Sequence, residues 1–152
     1  MTYSDSLLDF VRAWEGLKLR ASGDPLVPGV RDIGYGHVLA GHEHMTEITE
    51  QEAVALLRDD LDRRARQIGI ALTNVDLQQH EFDALVSITF NCGIGAMSQS
   101  TMFAKLAEGD RVGAGAEFPR WCKAGGREVA GLKKRRLAEQ RMFFDADYGG
   151  RP

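Results

Sequence analysis

Three carboxylates fall within one short stretch rich in glycine and proline: Glu15, Asp24 and Asp32 in "EGLKLRASGDPLVPGVRDIGYGH". Like charges repel, so a folded chain that gathers acids needs a reason to do so. Two carboxylates in unequal surroundings can divide an acid role and a base role. A solvated loop is the plain alternative. Glu15 stands beside Trp14 and before Gly16. An aromatic wall strips water from a carboxyl and favours its neutral form, the form a general acid must hold. On an exposed helix end the same carboxylate would oppose the negative end of the helix dipole. Asp24 precedes Pro25, a common way to open a turn. Asp32 lies between Arg31 and Ile33 in a strand-like run, where Asp is depleted. If Ile33 and Tyr35 face the core, Asp32 faces the opposite side, toward solvent or a cleft.

Other chemistries find less support. His37, His42 and His44 with Glu43 have the residue types of a zinc site, but "HEH" lacks the "HExxH" spacing and no cysteine is near, so no metal is expected. There is no phosphate-binding glycine loop and no serine in a nucleophile elbow. Cys92 and Cys122 are too few for a disulfide framework and read as reduced, mostly buried thiols.

The elements that must position the acids follow from periodicity. In "SDSLLDFVRAWEG", Leu7, Leu8, Val11 and Trp14 recur at helical spacing, with a Ser or Asp cap and Gly16 as the stop. Glu15 therefore sits in the last turn of a short amphipathic helix. From Leu17 to about His44, closely spaced Gly and Pro break the chain into short runs, "VRDIGYGHVL" above all, that read as strands of a small hairpin sheet. Thr49 and Glu52 form a capping-box pair ahead of the stripe Ala53, Leu56, Leu57 and Leu61. That spacing predicts a long helix over about 50–68, ended by Gly69. The remainder is helical in texture. Asp76 and Gln79 have capping-box spacing before a helix that stops at Gly93, a short helix follows from Ser98 or Ser100 to Gly109, and "DRVGAGAEFPRWC" and "EVAGLKKRRLAEQRMFF" supply two more. The fold expected is α+β: a small N-terminal β-hairpin lobe (about 15–48), the linking helix, and a larger helical C-terminal lobe (about 76–148) that includes the first helix. One domain of 152 residues is expected, with a cleft where the lobes face.

The composition, 43% hydrophobic and 27% charged, is that of a soluble globular protein, and no apolar run approaches the roughly 20 residues of a membrane span. The first residues carry Asp5 ahead of the apolar run and Asp9 within it, with no Lys or Arg before Arg12, unlike a secretory signal. The chain is expected to stay in the cytoplasm until something else lets it out. The net charge of −3 conceals an asymmetry: residues 120–141 hold eight basic and two acidic side chains, a local +6 that leaves −9 elsewhere. Such a stretch can meet an anionic polymer, cell wall or nucleic acid, or it can be a solvated helix face. No helix-turn-helix or stacking signature supports nucleic acid.

Taken together and in order, "EG(x)₇DP", "IGYGH", "ITEQEAVALLRDDL", "FDALVSITFNCGIG", "STMFAKLAEGD", "FPRWCKAGG" and "GLKKRRLAE" resemble the phage-type lysozymes of glycoside hydrolase family 24, from about Leu7 to Phe144. Each motif is weak alone, and their order is specific. The resemblance implies a lysozyme-like fold and a cofactor-free muramidase that cleaves the β-1,4 bond between N-acetylmuramic acid and N-acetylglucosamine, acting as a phage or prophage endolysin. It implies Glu15 as general acid and Asp24, nine positions on, as the carboxylate that stabilises the oxocarbenium-like state or orients water. The family's threonine ahead of the "IGYGH"-like strand is missing. No Thr occurs between Thr2 and Thr46, the "LVPGVR" loop is about two residues longer than usual, and Asp32 takes the threonine's place. Asp32 is thus the third catalytic candidate, and it opens two alternatives: a retaining or transglycosylating variant, or a wall-binding protein with altered catalysis. Tyr35, His37 and Arg136 are the expected substrate-binding residues. Arg136, in preference to Arg135, is the expected cation near Glu15. It would favour the charged carboxylate while burial opposes that. The implied partner is the peptidoglycan glycan strand, reached by a monomer through a membrane lesion such as a holin pore.

Overall fold

The computed structural model describes residues 1–24 and 27–152, and for Asp24, Val27 and Pro28 the backbone alone. Helix α1 (Asp5–Glu15) is capped by Ser4, whose Oγ accepts from the Leu7 N–H, and it buries Leu7, Leu8, Phe10 and Val11. It stops at Gly16, whose φ of 69° only glycine adopts freely. The chain then enters an antiparallel sheet in the order β1 (Lys18–Asp24), β2 (Val27–Gly34), β3 (His37–Val38). Ser22 pairs with Asp32, Asp32 with Val38 and Ile33 with His37, and a register shift separates Lys18 from Ser22. The other edge of β1 is covered by the returning chain. Ala21 N–H donates to the Thr46 carbonyl and Ile48 N–H to the Leu19 carbonyl.

Helix α2 (Glu50–Ala71) begins at the expected capping box: Thr49 Oγ1 accepts from Glu52 N–H and Glu52 reaches back to Thr49 N–H. It buries the stripe Ala53, Leu57, Leu61, Ala65 and Ile68, packing against β2 on one side and the helices on the other. It does not end at Gly69. An interior glycine costs only about 1 kcal/mol, and the burial of Ile68 and Leu72 on either side carries the helix to Ala71.

Helix α3 (Gln79–Cys92) is the central element, buried almost without interruption from Glu81 to Thr89. Its capping box is Gln78 with Glu81, two residues later than Asp76 with Gln79, and it stops at Gly93 as expected. Around it stand α4 (Ile94–Met97), α5 (Thr101–Ala107, capped by Ser100), α6 (Arg111–Ala116), a 3-10 turn (Phe118–Arg120), the two-residue strands β4 (Lys123–Ala124) and β5 (Arg127–Glu128), and α7 (Ala130–Asp145). The 4-residue α4 and the β4/β5 hairpin lie outside what the sequence pattern predicted. Among the described residues no helix is long and apolar enough to cross a membrane.

The two chain ends close on α3. Asp83, fully buried, accepts from Ser4 N–H, Ser4 Oγ, Gln79 and the Tyr148 hydroxyl. Burial and this carboxylate raise the Tyr148 phenol well above its ordinary value.

Candidate active site

Glu15 is held from both lobes. On the helical side, Arg135 Nη1 of α7 donates to Glu15 Oε1 at 2.6 Å. On the sheet side, the turn between β2 and β3 runs past the other oxygen. Gly36 has a φ of 80°, and a Cβ there would stand 3.3 Å from Glu15 Oε2. The second glycine of "IGYGH" therefore provides close approach to Glu15 as well as the turn. The Glu15 side chain keeps 18% exposure, enough to reach a ligand, while Arg135 keeps 6%. Trp14, expected as an aromatic wall, tilts onto Phe10 and donates its Nε1–H to the Gly150 carbonyl.

The cation beside Glu15 is Arg135, and the preference for Arg136 is corrected. Adjacent helical residues diverge by about 100°. Arg135 faces α1, whereas Arg136 faces the C-terminal end of α3, where it donates to Asn91 Oδ1 at 2.7 Å and approaches Cys92 Sγ at 3.4 Å. Arg136 is fully buried and so cannot meet a substrate. Glu139 lies beneath both guanidinium groups, accepting from Arg135 Nε at 3.2 Å and standing 3.2 Å from Arg136 Nε. Burial works against the Arg135 charge, and Glu139 and Glu15 outweigh it, so its proton is held more firmly than usual. The other six cations of the basic stretch are exposed, and three of them are paired. Arg120 pairs with Glu117, Lys133 with Glu128 and Arg141 with Asp147.

Asp32 has its own cation. Lys18 Nζ lies 2.9 and 2.8 Å from its two carboxylate oxygens, and Ser22 Oγ is 3.4 Å away. Lys18 stands on the strand paired with that of Asp32, and opposite charges near one another on paired strands stabilise a sheet. Two of the three acids thus tolerate one another because each is paired with its own cation. Asp24 closes β1, and its side chain lies outside the described residues.

Tyr35 and His37 both bond within the fold. Tyr35 is buried. Its hydroxyl accepts from Arg12 Nε at 3.2 Å, and Arg12 also reaches Glu50, so α1, the turn and α2 are tied together. His37 is clamped between Asp60 of α2 (Nδ1 to Oδ2, 2.7 Å) and Glu43 (Nε2 to Oε1, 3.3 Å). Burial pulls its pKa down, but hydrogen bonds and charge from Asp60 and Glu43 prevail, and the net shift is upward. Both residues serve the site by fixing the sheet to α2. Beside Asn91 and Cys92 opens a cavity of about 480 Å³, with Trp121 and Leu132 as its apolar lining and Arg120 and Lys123 as its cations.

The sequence profile described as phage lysozyme matches residues 12–139. The chain belongs to the phage lysozyme family. It is 38% identical over 143 residues to the endolysin of Bacillus phage PZA, an alignment covering 94% of this chain and 55% of that relative, so the chain spans about half the relative's length. It superposes on the endolysin from Escherichia coli O157:H7 phage FAHEc1 with a TM-score of 0.84 and 34% identity, covering 97% of this chain and 96% of that one. The muramidase domain of SpmX from Asticaccaulis excentricus gives 0.83 and 33%, over 94% and 97%. In this member of the family a carboxylate and its cation meet at the junction of sheet and helices.

Proposed function

We propose that the chain is a lysozyme (EC 3.2.1.17, glycoside hydrolase family 24) that hydrolyses the β-1,4 bond between N-acetylmuramic acid and N-acetylglucosamine in peptidoglycan. Glu15 donates a proton to the leaving glycosidic oxygen. The carboxylate it leaves behind is stabilised by Arg135, whose Nη1 already stands 2.6 Å away. Asp32 orients or deprotonates the attacking water, with Lys18 holding both of its oxygens in place. Asp24 stabilises the positive charge that develops on the sugar ring. The reaction needs no cofactor or metal, and its product has inverted configuration.

The observation that carries this reading is a partly exposed Glu15 gripped by Arg135 and the Gly36 turn, in a chain of this family. The chain acts as a monomeric phage or prophage endolysin, reaching the wall from the cytoplasm after a membrane lesion such as a holin pore. The test is the clearing of outer-membrane-permeabilised Gram-negative cells by the wild type and by Glu15→Gln. Clearing by the first alone supports the reading, and clearing by neither leaves a wall-binding protein. That second reading draws on the sequence resemblance, in which Asp32 takes the place of a threonine.

A further inference from the structure

Glu139 carries a carboxylate into the fully buried part of the helical lobe. Its Oε1 accepts from Ser87 Oγ of α3 at 2.7 Å and from Arg135 Nε at 3.2 Å, while Oε2 lies 3.2 Å from Arg136 Nε. Helix packing alone does not call for such a group. Buried charges are costly to desolvate, and an apolar side chain of similar volume packs as well or better. The position of Glu139 explains its presence. It lies four residues after Arg135 and three after Arg136 on one helix, so a single carboxylate reaches both guanidinium groups.

We propose that Glu139 is a positioning residue for glycan cleavage: it anchors Arg135 against Glu15 and offsets the positive charge that Arg135 and Arg136 bury in the helical lobe. The inference rests on Glu15 as the general acid. A guanidinium held at two points keeps one orientation, with Nε on Glu139 and Nη1 on Glu15. The charges of Glu15, Arg135, Glu139 and Arg136 sum to zero when all are ionised. Without the Glu139 charge, one uncompensated positive charge remains beside Glu15, and positive charge favours an ionised carboxylate over the acid form. The other groups facing Glu139 do not supply that charge. Ser87 and Asn91 of α3 are neutral. The Cys92 thiol is pushed up by burial, with Arg136 opposing, and stays protonated at neutral pH.

The experiment is the pH profile of kcat/KM on soluble, uncrosslinked glycan strands for wild type, Glu139→Gln, Glu139→Gln/Arg136→Gln, Ser87→Ala and Glu15→Gln, with folding followed by circular dichroism. Glu139→Gln keeps an acceptor for Arg135 and loses the charge. Its alkaline limb is expected about one pH unit lower than in wild type, with KM unchanged. The double variant restores the charge balance and is expected to move the limb back. A folded Glu139→Gln with an unmoved limb, or a double variant whose limb stays where Glu139→Gln left it, overturns the proposal. If Glu139→Gln does not fold, Ser87→Ala is read instead. It removes only the 2.7 Å bond, and a several-fold loss in kcat at constant KM is expected. Wild-type kcat in that variant overturns the proposal. An active Glu15→Gln would sink the acid assignment itself. An inactive Glu15→Gln beside an unmoved Glu139→Gln limb sinks this inference alone.

Discussion

Arg135 donates to Glu15 at 2.6 Å across 120 positions of sequence, so the last helix of the chain grips the end of the first. The candidate acid is thereby fixed by the helical lobe, and the Gly36 turn brings the sheet against its other oxygen. Replacing Arg135 by Met breaks the pair with Glu15 and the bond to Glu139. The expected loss is about 3 kcal/mol, the low end for a buried pair because Glu15 retains some water. Per folded molecule, Arg135→Met should lose more lytic activity than Arg136→Met, and Lys133→Ala, on an exposed pair, should stay near wild type. Urea unfolding and a turbidity assay read both quantities. If Arg136→Met were the more damaging to activity, Arg136 would regain the role.

Gly36→Ala adds a Cβ 3.3 Å from Glu15 Oε2 at a φ of 80°. Left-handed backbone costs a non-glycine residue about 1–2 kcal/mol. Gly29→Ala is the control, with a φ of 86° and, among the described residues, no atom within 4 Å of the added carbon. The two variants should lose similar stability in thermal melts, while only Gly36→Ala loses activity beyond its unfolded fraction. Equal activities would free the Gly36 turn from any part in placing Glu15.

Much of this arrangement is legible in the sequence because it is local. Ser4, Gly16, the Thr49–Glu52 box and Gly93 mark helix ends through bonds made within a few residues. What escapes is set by long-range packing. Arg135 and Arg136 are equivalent in any local pattern, and only the placement of α1 and α3 around α7 decides which of them meets Glu15. The extension of α2 past Gly69 depends on the burial of Leu72 by distant residues. Tyr35 and His37 belong to a motif near Glu15 in sequence, yet their polar atoms are taken by Arg12, Asp60 and Glu43. The strands β4 and β5, two residues each, are too short to carry a period.

His37 joins the sheet to α2 through Asp60, and its pKa is raised in the folded protein. A raised pKa means that the folded state binds the proton more tightly than the unfolded chain. The contribution is fully present below the unfolded value of about 6.5 and is lost as pH rises through the higher folded value. His37→Asn should therefore destabilise most at mildly acidic pH, by about 1.5–3 kcal/mol, as for a hydrogen bond to a charged group. The gap to wild type should narrow as pH climbs. Chemical denaturation at a series of pH values measures this, and a gap that widens with pH would show that the imidazolium is not what holds the clamp.

Asp32 is paired with Lys18 on the sheet. A carboxylate about 6.5–9.5 Å from the acid leaves room for water and gives inversion, whereas about 5–5.5 Å allows direct attack and retention. Asp32→Asn should cripple the enzyme, Asp32→Thr should recover part of the activity, and Lys18→Ala should weaken it by loosening Asp32. NMR of the first-formed anomer should show inversion in wild type. Retention would make Asp32 the nucleophile, and full activity in Asp32→Ala would reduce it to a charge on the sheet.

The most direct measurement is lysis by Glu15→Gln, a change that keeps the side chain's shape and removes its proton. General acid catalysis is typically worth about 10²–10⁴-fold, so clearing of permeabilised cells should slow by at least about 100-fold while the melting curve shows a folded protein. A folded Glu15→Gln that clears cells at close to the wild-type rate would contradict the assignment of Glu15 as the acid that Arg135 and the Gly36 turn hold in place.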